Sequence, residues 1–257
     1  MRNMRIALVQ ADQKWEDKSA NFIHYEILLS NINEVDLIVL PEMFNTSFSI
    51  KPKKLAEEMN NSKSIEWLKK KAKQIKAAIY TSLIIKENNS FFNRGVFITP
   101  NEQIHFYDKR KCFSLVKEDL FFQAGKKETI VNYLGWNINL QICYDLRFPI
   151  NVLNYIDKNK QAKYDVLLYV ANWPEKRIEH WKKLLIARAI ENQCFVIGVN
   201  RTGIDGNQIN YCGNSMAIDA NGEEMFPLSS KEKVIIVTLK RNNLEELRKN
   251  LPFIKDQ

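Results

Sequence analysis

The chain of 257 residues is 45% hydrophobic and 26% charged, the profile of a soluble globular protein rather than a membrane-embedded or disordered one. No run approaches the roughly 20 apolar residues of a spanning helix, and residues 5 to 10 are too short for a secretory h-region, so a cytoplasmic protein with no membrane contact is expected. The net charge of +8 is dispersed, its densest run (Lys69, Lys70, Lys71, Lys73, Lys76) sits on one amphipathic helix, and no recognition motif accompanies it, which sets nucleic acid aside as a partner.

Residues 5 to 10 read as a buried strand. Ser19 is placed to cap a helix whose apolar side is Phe22, Tyr25, Leu29 and Ile32. After Asp36 comes a continuous apolar run ended by Pro41, the pattern of a parallel strand covered on both faces. Glu42 follows at once, at the strand end where ligands and catalytic groups of open α/β sheets gather. A second helix fits 62–76, with Ile65, Leu68, Ala72 and Ile75 on one side. Residues 77–85 and 91–99 predict a hairpin turning at Asn88, Asn89 and Ser90, and 103–107 a short strand leading into Asp108-Lys109-Arg110-Lys111. Residues 130–134 and 136–142 flank Gly135 as another hairpin, which delivers Cys143, and Pro149 is suited to open the next helix. The run after Asp165 repeats the pattern after Asp36 and leads to Asn172, a hint of two related halves. The helix over 177–193 carries Ile178, Trp181, Leu185 and Ala189 on one side, with Arg188 and Glu191 one turn apart. Strands over 195–199, 214–218 and 234–239 follow, with residues 219–222 as a hairpin turn. The alternation predicts an α/β layered domain.

Cys112, Cys143, Cys194 and Cys212 form no C-x-x-C pair, and His24, His105 and His180 have no metal-ligand spacing. Neither a metal, a disulfide framework nor a cofactor is expected. Cys143 stands at a strand-to-helix turn, where backbone N–H groups and the positive end of a helix favour thiolate over thiol. The commoner fate of a free cysteine, a small buried hydrophobe, stands beside that reading. No histidine follows an apolar strand, so the base on offer is Glu42, whose pKa apolar neighbours would raise. Alone, it reads as an exposed loop residue. Lys109 would stabilise both anions and an oxyanion, although the basic run around it equally suits solvent.

The combination changes the reading. L-P-E at 40–42, Y-D-K-R-K at 107–111 and C-Y-D-L-R-F-P at 143–149 resemble, in order and spacing, the nitrilase superfamily of carbon–nitrogen hydrolases. F-F-N-R-G at 91–95, A-N-W-P at 171–174, A-R-A-I-E-N at 187–192, V-N-R at 199–201 and Y-C-G-N-S at 211–215 extend the resemblance over nearly the whole chain. It is most like the ω-amidase (2-oxoglutaramate amidase) branch, on the C-Y-D-L-R-F-P and A-N-W-P segments and the W-x-x-L-L-x-A-R-A-I-E-N helix.

The resemblance implies a four-layer α-β-β-α sandwich, one domain over 1–257 with a tail from residue 240 onward that packs on a partner subunit. It also implies a homodimer with the 177–193 helix near the interface. The superfamily's triad falls on Glu42, Lys109 and Cys143, and its second glutamate on Glu118, with Gly125 at the familiar interval. Relatives often carry histidine two places after the lysine, where this chain has Lys111 and then Cys112, a difference that bears on specificity. The implied activity is hydrolysis of a small 2-oxo acid amide through a cysteine thioester, with the backbone N–H of Tyr144 beside Lys109 at the oxyanion. Arg147 and Arg201 are candidates for a substrate carboxylate, and Phe121, Tyr144 and Trp173 for pocket walls. Arg147 pairing with Asp145, and Arg201 facing solvent, are the bland alternatives. An aliphatic amidase or N-carbamoyl-amine hydrolase would use the same three residues. A non-catalytic binding module would be expected to lack one of them.

Overall fold

In the computed structural model, which describes residues 2–158 and 161–256, the chain forms two mixed sheets packed face to face. The first half contains β1 (Met4–Gln10), α1 (Lys18–Leu29), β2 (Leu37–Val39), α2 (Pro52–Leu55), α3 (Lys63–Ile75), β3 (Ala78–Glu87), β4 (Ser90–Ile98) and β5 (Ile104–Asp108). The second contains β6 (Ile130–Tyr133), β7 (Trp136–Ile142), β8 (Val166–Ala171), α4 (Ile178–Asn192), β9 (Phe195–Asn200), β10 (Thr202–Ile204), β11 (Asn210–Cys212), β12 (Met216–Ile218), β13 (Lys233–Leu239) and α5 (Arg241–Asn250). The first sheet has the order β13-β1-β2-β3-β4-β5 and the second β12-β9-β8-β7-β6, while β10 and β11 form a separate ribbon.

Strand alternation builds the layers. Ile6, Leu8, Leu37 and Val39 face Ile138, Leu140, Val166 and Leu168 in a core between the sheets. The intervening Ala7, Val9 and Ile38 pack outward against Tyr25 and Leu29 of α1 and Leu68 and Ala72 of α3. On the opposite side, Leu167, Tyr169 and Val196 pack against Trp181, Leu185 and Ala189 of α4. Burial of both faces is why β2 and β8 read as unbroken apolar runs. The result is an α-β-β-α sandwich.

The two halves repeat one hydrogen-bond device. Asp36 accepts from Arg5 N through its carboxylate and donates its own N–H to Arg5 O, each at 2.8 Å. Asp165 does the same with Asn137, at 3.1 Å through the carboxylate and 2.8 Å through its N–H. The aspartate carbonyls then accept from Ala78 N at 2.9 Å and Phe195 N at 3.0 Å, starting the next strand in each half. Equivalent strands therefore end in equivalent places. Glu42 lies beyond β2, Cys143 beyond β7 and Asn172 beyond β8.

Three details differ from the sequence reading. The cap of α1 is Asp17, whose side chain accepts from Ala20 N, rather than Ser19, and Ile32 lies past the helix end. Pro149 opens only a four-residue 3-10 turn, Pro149–Val152, after another over Cys143–Arg147. Residues 219–222 do turn the chain, with Gly222 at φ 92°, but β13 crosses to the other sheet beside β1, so β12 and β13 are not a hairpin. Beyond these differences, the stretch after residue 240 makes contacts within its own chain: Leu244 and Ile254 are buried, and Arg241 and Arg248 pair with Asp165 at 2.9 and 3.0 Å.

Candidate active site

Glu42, Cys143 and Asn172 each stand just past the carboxyl end of a parallel strand, and Lys109 directly follows β5. Cys143 has φ +45°, an uncommon left-handed conformation for a residue with a side chain, which turns the chain sharply out of β7. Asp145 holds that turn. Its carboxylate accepts from Ile142 N at 3.1 Å, Lys111 N at 2.9 Å and Tyr107 Oη at 2.8 Å, so it ties the cysteine turn to the loop carrying Lys109.

Lys109 Nζ lies 3.1 Å from Glu42 Oε1 and 3.0 and 2.9 Å from the two Glu118 oxygens, with all three residues buried. Asn93 Nδ2 bridges the two carboxylates, 2.8 Å from Glu42 and 3.4 Å from Glu118. Burial works against the charge of Lys109, yet Glu118, Glu42 and Cys143 hold its pKa well above the usual lysine range. The second Glu42 oxygen accepts 2.9 Å from Asn172 N. Glu42 is thus surrounded by donors, not by the apolar neighbours expected of it.

Cys143 lies at the wall of the cavity with Lys109, near enough to Glu42 to feel its charge. Burial and then the Glu42 charge push its thiol pKa well above the ordinary value, with Lys109 opposing them. A raised pKa works against the thiolate that the strand-to-helix turn would favour, which gives a neighbouring base a part in the attack. A thiol, a carboxylate close to it and a buried ammonium can together perform nucleophilic acyl transfer. Cys112 lies 3.7 Å from Phe122 O, and burial together with Glu118 pushes its pKa up to about 12.

These groups open into a cavity of about 560 Å³ walled by Phe48, Phe113, Tyr144, Arg147, Trp173 and Arg177, among others. Tyr144 packs against Phe113 and Phe148, at centroid distances of 4.9 and 5.3 Å. Arg147 does not pair with Asp145; its guanidinium lies 4.8 Å over the Trp173 ring. Phe121 is 44% exposed and lines a different, shallow depression, so Phe113 supplies the wall expected of it. Arg201 neither faces solvent nor reaches the cavity. It is buried, donating to Thr202 O (2.9 Å), Ser47 Oγ (2.6 Å), Asp12 Oδ1 (3.1 Å) and Gln13 O (3.2 Å). Those bonds commit its guanidinium to the fold.

Asn93, Phe113, Asp145, Asn172 and Arg177 were not singled out as site residues. Asn93 and Asn172 lay inside family-like stretches, and a polar residue amid an apolar strand run was the available signal.

Residues 5–249 match the carbon–nitrogen hydrolase family. The chain is 38% identical to ω-amidase YafV of Escherichia coli over 257 residues, covering 100% of this chain and 97% of that protein. It is 32% identical to 2-oxoglutaramate amidase of Bacillus subtilis, covering 98% and 96%. The solved structure of XC1258 from Xanthomonas campestris, a CN-hydrolase superfamily protein with an arsenic adduct in its active site, is 39% identical with a TM-score of 0.97, covering 100% and 98%.

Proposed function

This chain belongs to the carbon–nitrogen hydrolase family, and from that premise we propose that it is an ω-amidase, cleaving the terminal carboxamide of a small 2-oxo acid such as 2-oxoglutaramate or 2-oxosuccinamate. One observation carries the residue assignment. A thiol, two carboxylates and one ammonium converge where strands of both halves end, at the wall of an accessible cavity.

In this reading Glu42 takes the Sγ proton of Cys143 as the sulfur bonds to the amide carbon. Lys109 Nζ and the backbone N–H of Tyr144 hold the oxyanion. Collapse breaks the carbon–nitrogen bond while Glu42 returns the proton to the departing ammonia, leaving a thioester. Water then gives a proton to Glu42 and its oxygen to the acyl carbon. The acid leaves, and the proton returns to sulfur. Glu118 keeps Lys109 charged and aimed. Arg147, above Trp173, binds the substrate carboxylate, and Tyr144 closes the wall.

The test is ammonia release from 2-oxoglutaramate, 2-oxosuccinamate, glutamine and simple aliphatic amides, with Cys143→Ala as control. The 2-oxo amides should turn over fastest and the variant should be inactive while folded. Best turnover of neutral amides, or an active variant, defeats the reading. We also read the protein as a cytoplasmic homodimer. Asn154 bonds to Asn192 at the end of α4 and sets the exposed Leu153 and Tyr155 beside that helix, which supports an interface there. Sedimentation at two protein concentrations tests it.

A further inference from the structure

Two groups of charges of opposite formal sign stand at the cavity and behind its wall. One ammonium, Lys109, faces two carboxylates, Glu42 and Glu118. Two guanidiniums, Arg147 and Arg177, line the cavity itself, and among the described residues neither forms an ion pair with a carboxylate. Arg147 has His180 Nδ1 at 3.2 Å, and Arg177 lies 5.3 Å over the Phe113 ring. One indole serves both arginines: Trp173 lies under Arg147, and its Nε1 donates to Arg177 O at 2.8 Å. Burial, and then the charge of Arg177, depress the Arg147 pKa, so the two charges feel one another. The acidic residues lining the same cavity do not neutralise them. Glu175 is exposed, and Asp205 is occupied by Asn207 N, Ile209 N and Tyr211 Oη at 2.8 to 3.1 Å. Lys51 and Lys176 add only positive charge.

Two partly desolvated like charges without a counter-ion form an anion site, and the counter-ion must come with the ligand. We propose that Arg177 is a specificity-determining residue, completing with Arg147 a clamp that takes the substrate carboxylate and rejects any ligand carrying a cation beside it. The proposal rests on the ω-amidase reading and deepens it. The clamp orients a monoamide of a short dicarboxylic acid, because the carboxylate is drawn to the arginines and repelled by Glu42 and Glu118, leaving the neutral amide at Cys143. It also distinguishes a 2-oxo amide from glutamine. Both bear the same carboxylate and terminal amide, but the α-ammonium of glutamine would sit against two guanidiniums, whereas an oxo group carries no charge.

The experiment compares kcat/KM for 2-oxoglutaramate, glutamine and butyramide in the wild type, Arg177→Gln and Arg177→Lys. In Arg177→Gln the preference for 2-oxoglutaramate over each comparator should fall about 10-fold or more, chiefly through a higher KM, as loss of a charge-assisted pair implies. Arg177→Lys should retain part of the preference, since the charge remains but the planar fork is lost. An unchanged preference in Arg177→Gln, or an equal loss on all three amides, overturns the clamp. A wild type that prefers butyramide defeats the parent reading instead, so the two failures are distinguishable.

Discussion

The backbone N–H of Asn172 donates 2.9 Å to the Glu42 carboxylate, and the Asn172 side chain donates 2.6 Å to the Glu42 carbonyl. The residue beyond a strand of one sheet thereby fixes the orientation of the candidate base beyond a strand of the other. Ser47 Oγ, itself held by Arg201, donates to Asn172 Oδ1 at 3.2 Å and extends the support. Asn172→Ala keeps the backbone donor but loses the side-chain clamp, so kcat should fall about 10-fold with little change in KM. Glu42→Gln keeps the shape without a base and should lose about 1,000-fold or more in kcat. Steady-state ammonia release on both variants checks the order; an Asn172→Ala enzyme slower than Glu42→Gln contradicts it.

Much of this arrangement is legible in the amino-acid sequence. Period-two alternation and unbroken apolar runs located most strands, and the ends of those runs pointed to Glu42 and Cys143. The backbone donor to Glu42 was invisible because any residue but proline at position 172 would supply it. The role of Arg201 could not be read either, since a guanidinium filling a buried network and one awaiting a ligand look the same in sequence. Phe121 and Phe113 are both aromatic residues of one loop, and only the 3-10 turns over Ser114–Val116 and Glu118–Leu120 decide which faces the cavity. The short 3-10 turn at Pro149 replaced an expected helix because a proline specifies where a turn begins and not how far it runs.

Gly125 is set by close approach. A Cβ there would lie 2.1 Å from Asp108 O, and the Gly125 N–H donates to Lys109 O at 2.9 Å. Gly125→Ala must move backbone against backbone at the segment that delivers Lys109. It should cost about 3 kcal/mol of stability, read from the urea midpoint at constant m-value. The folded fraction should also show a lower kcat, because Lys109 moves with the strand end.

Arg201 and Arg147 should separate by phenotype. Arg201→Ala strips buried Ser47 of its partner and removes a buried side chain with its hydrogen bonds, and should destabilise the protein by about 1 to 3 kcal/mol, lowering turnover of all amides alike. Arg147→Gln, at the cavity wall, should raise KM for carboxylate-bearing amides about 10- to 100-fold with little change in thermal midpoint. A large stability loss in Arg147→Gln, with selectivity intact, would assign it to the fold instead.

Asp145 predicts a pH signature. Burial pushes its pKa from 3.8 up to about 6, against the opposing pull of Lys109 and its hydrogen-bond donors. Between those two values the folded chain holds a proton that the unfolded chain has released. The stability from this proton is therefore full at low pH and is lost as pH rises through about 6. Asp145→Asn cannot titrate, and its amide N–H₂ opposes donors now served by the carboxylate, so it should be destabilised at every pH. The gap between wild type and variant should be widest at low pH and narrow by about 2 to 3 kcal/mol between pH 4 and pH 7. Denaturant unfolding of both proteins at half-unit pH steps measures that gap directly, and a gap that widens with rising pH would show that Asp145 is ionised throughout.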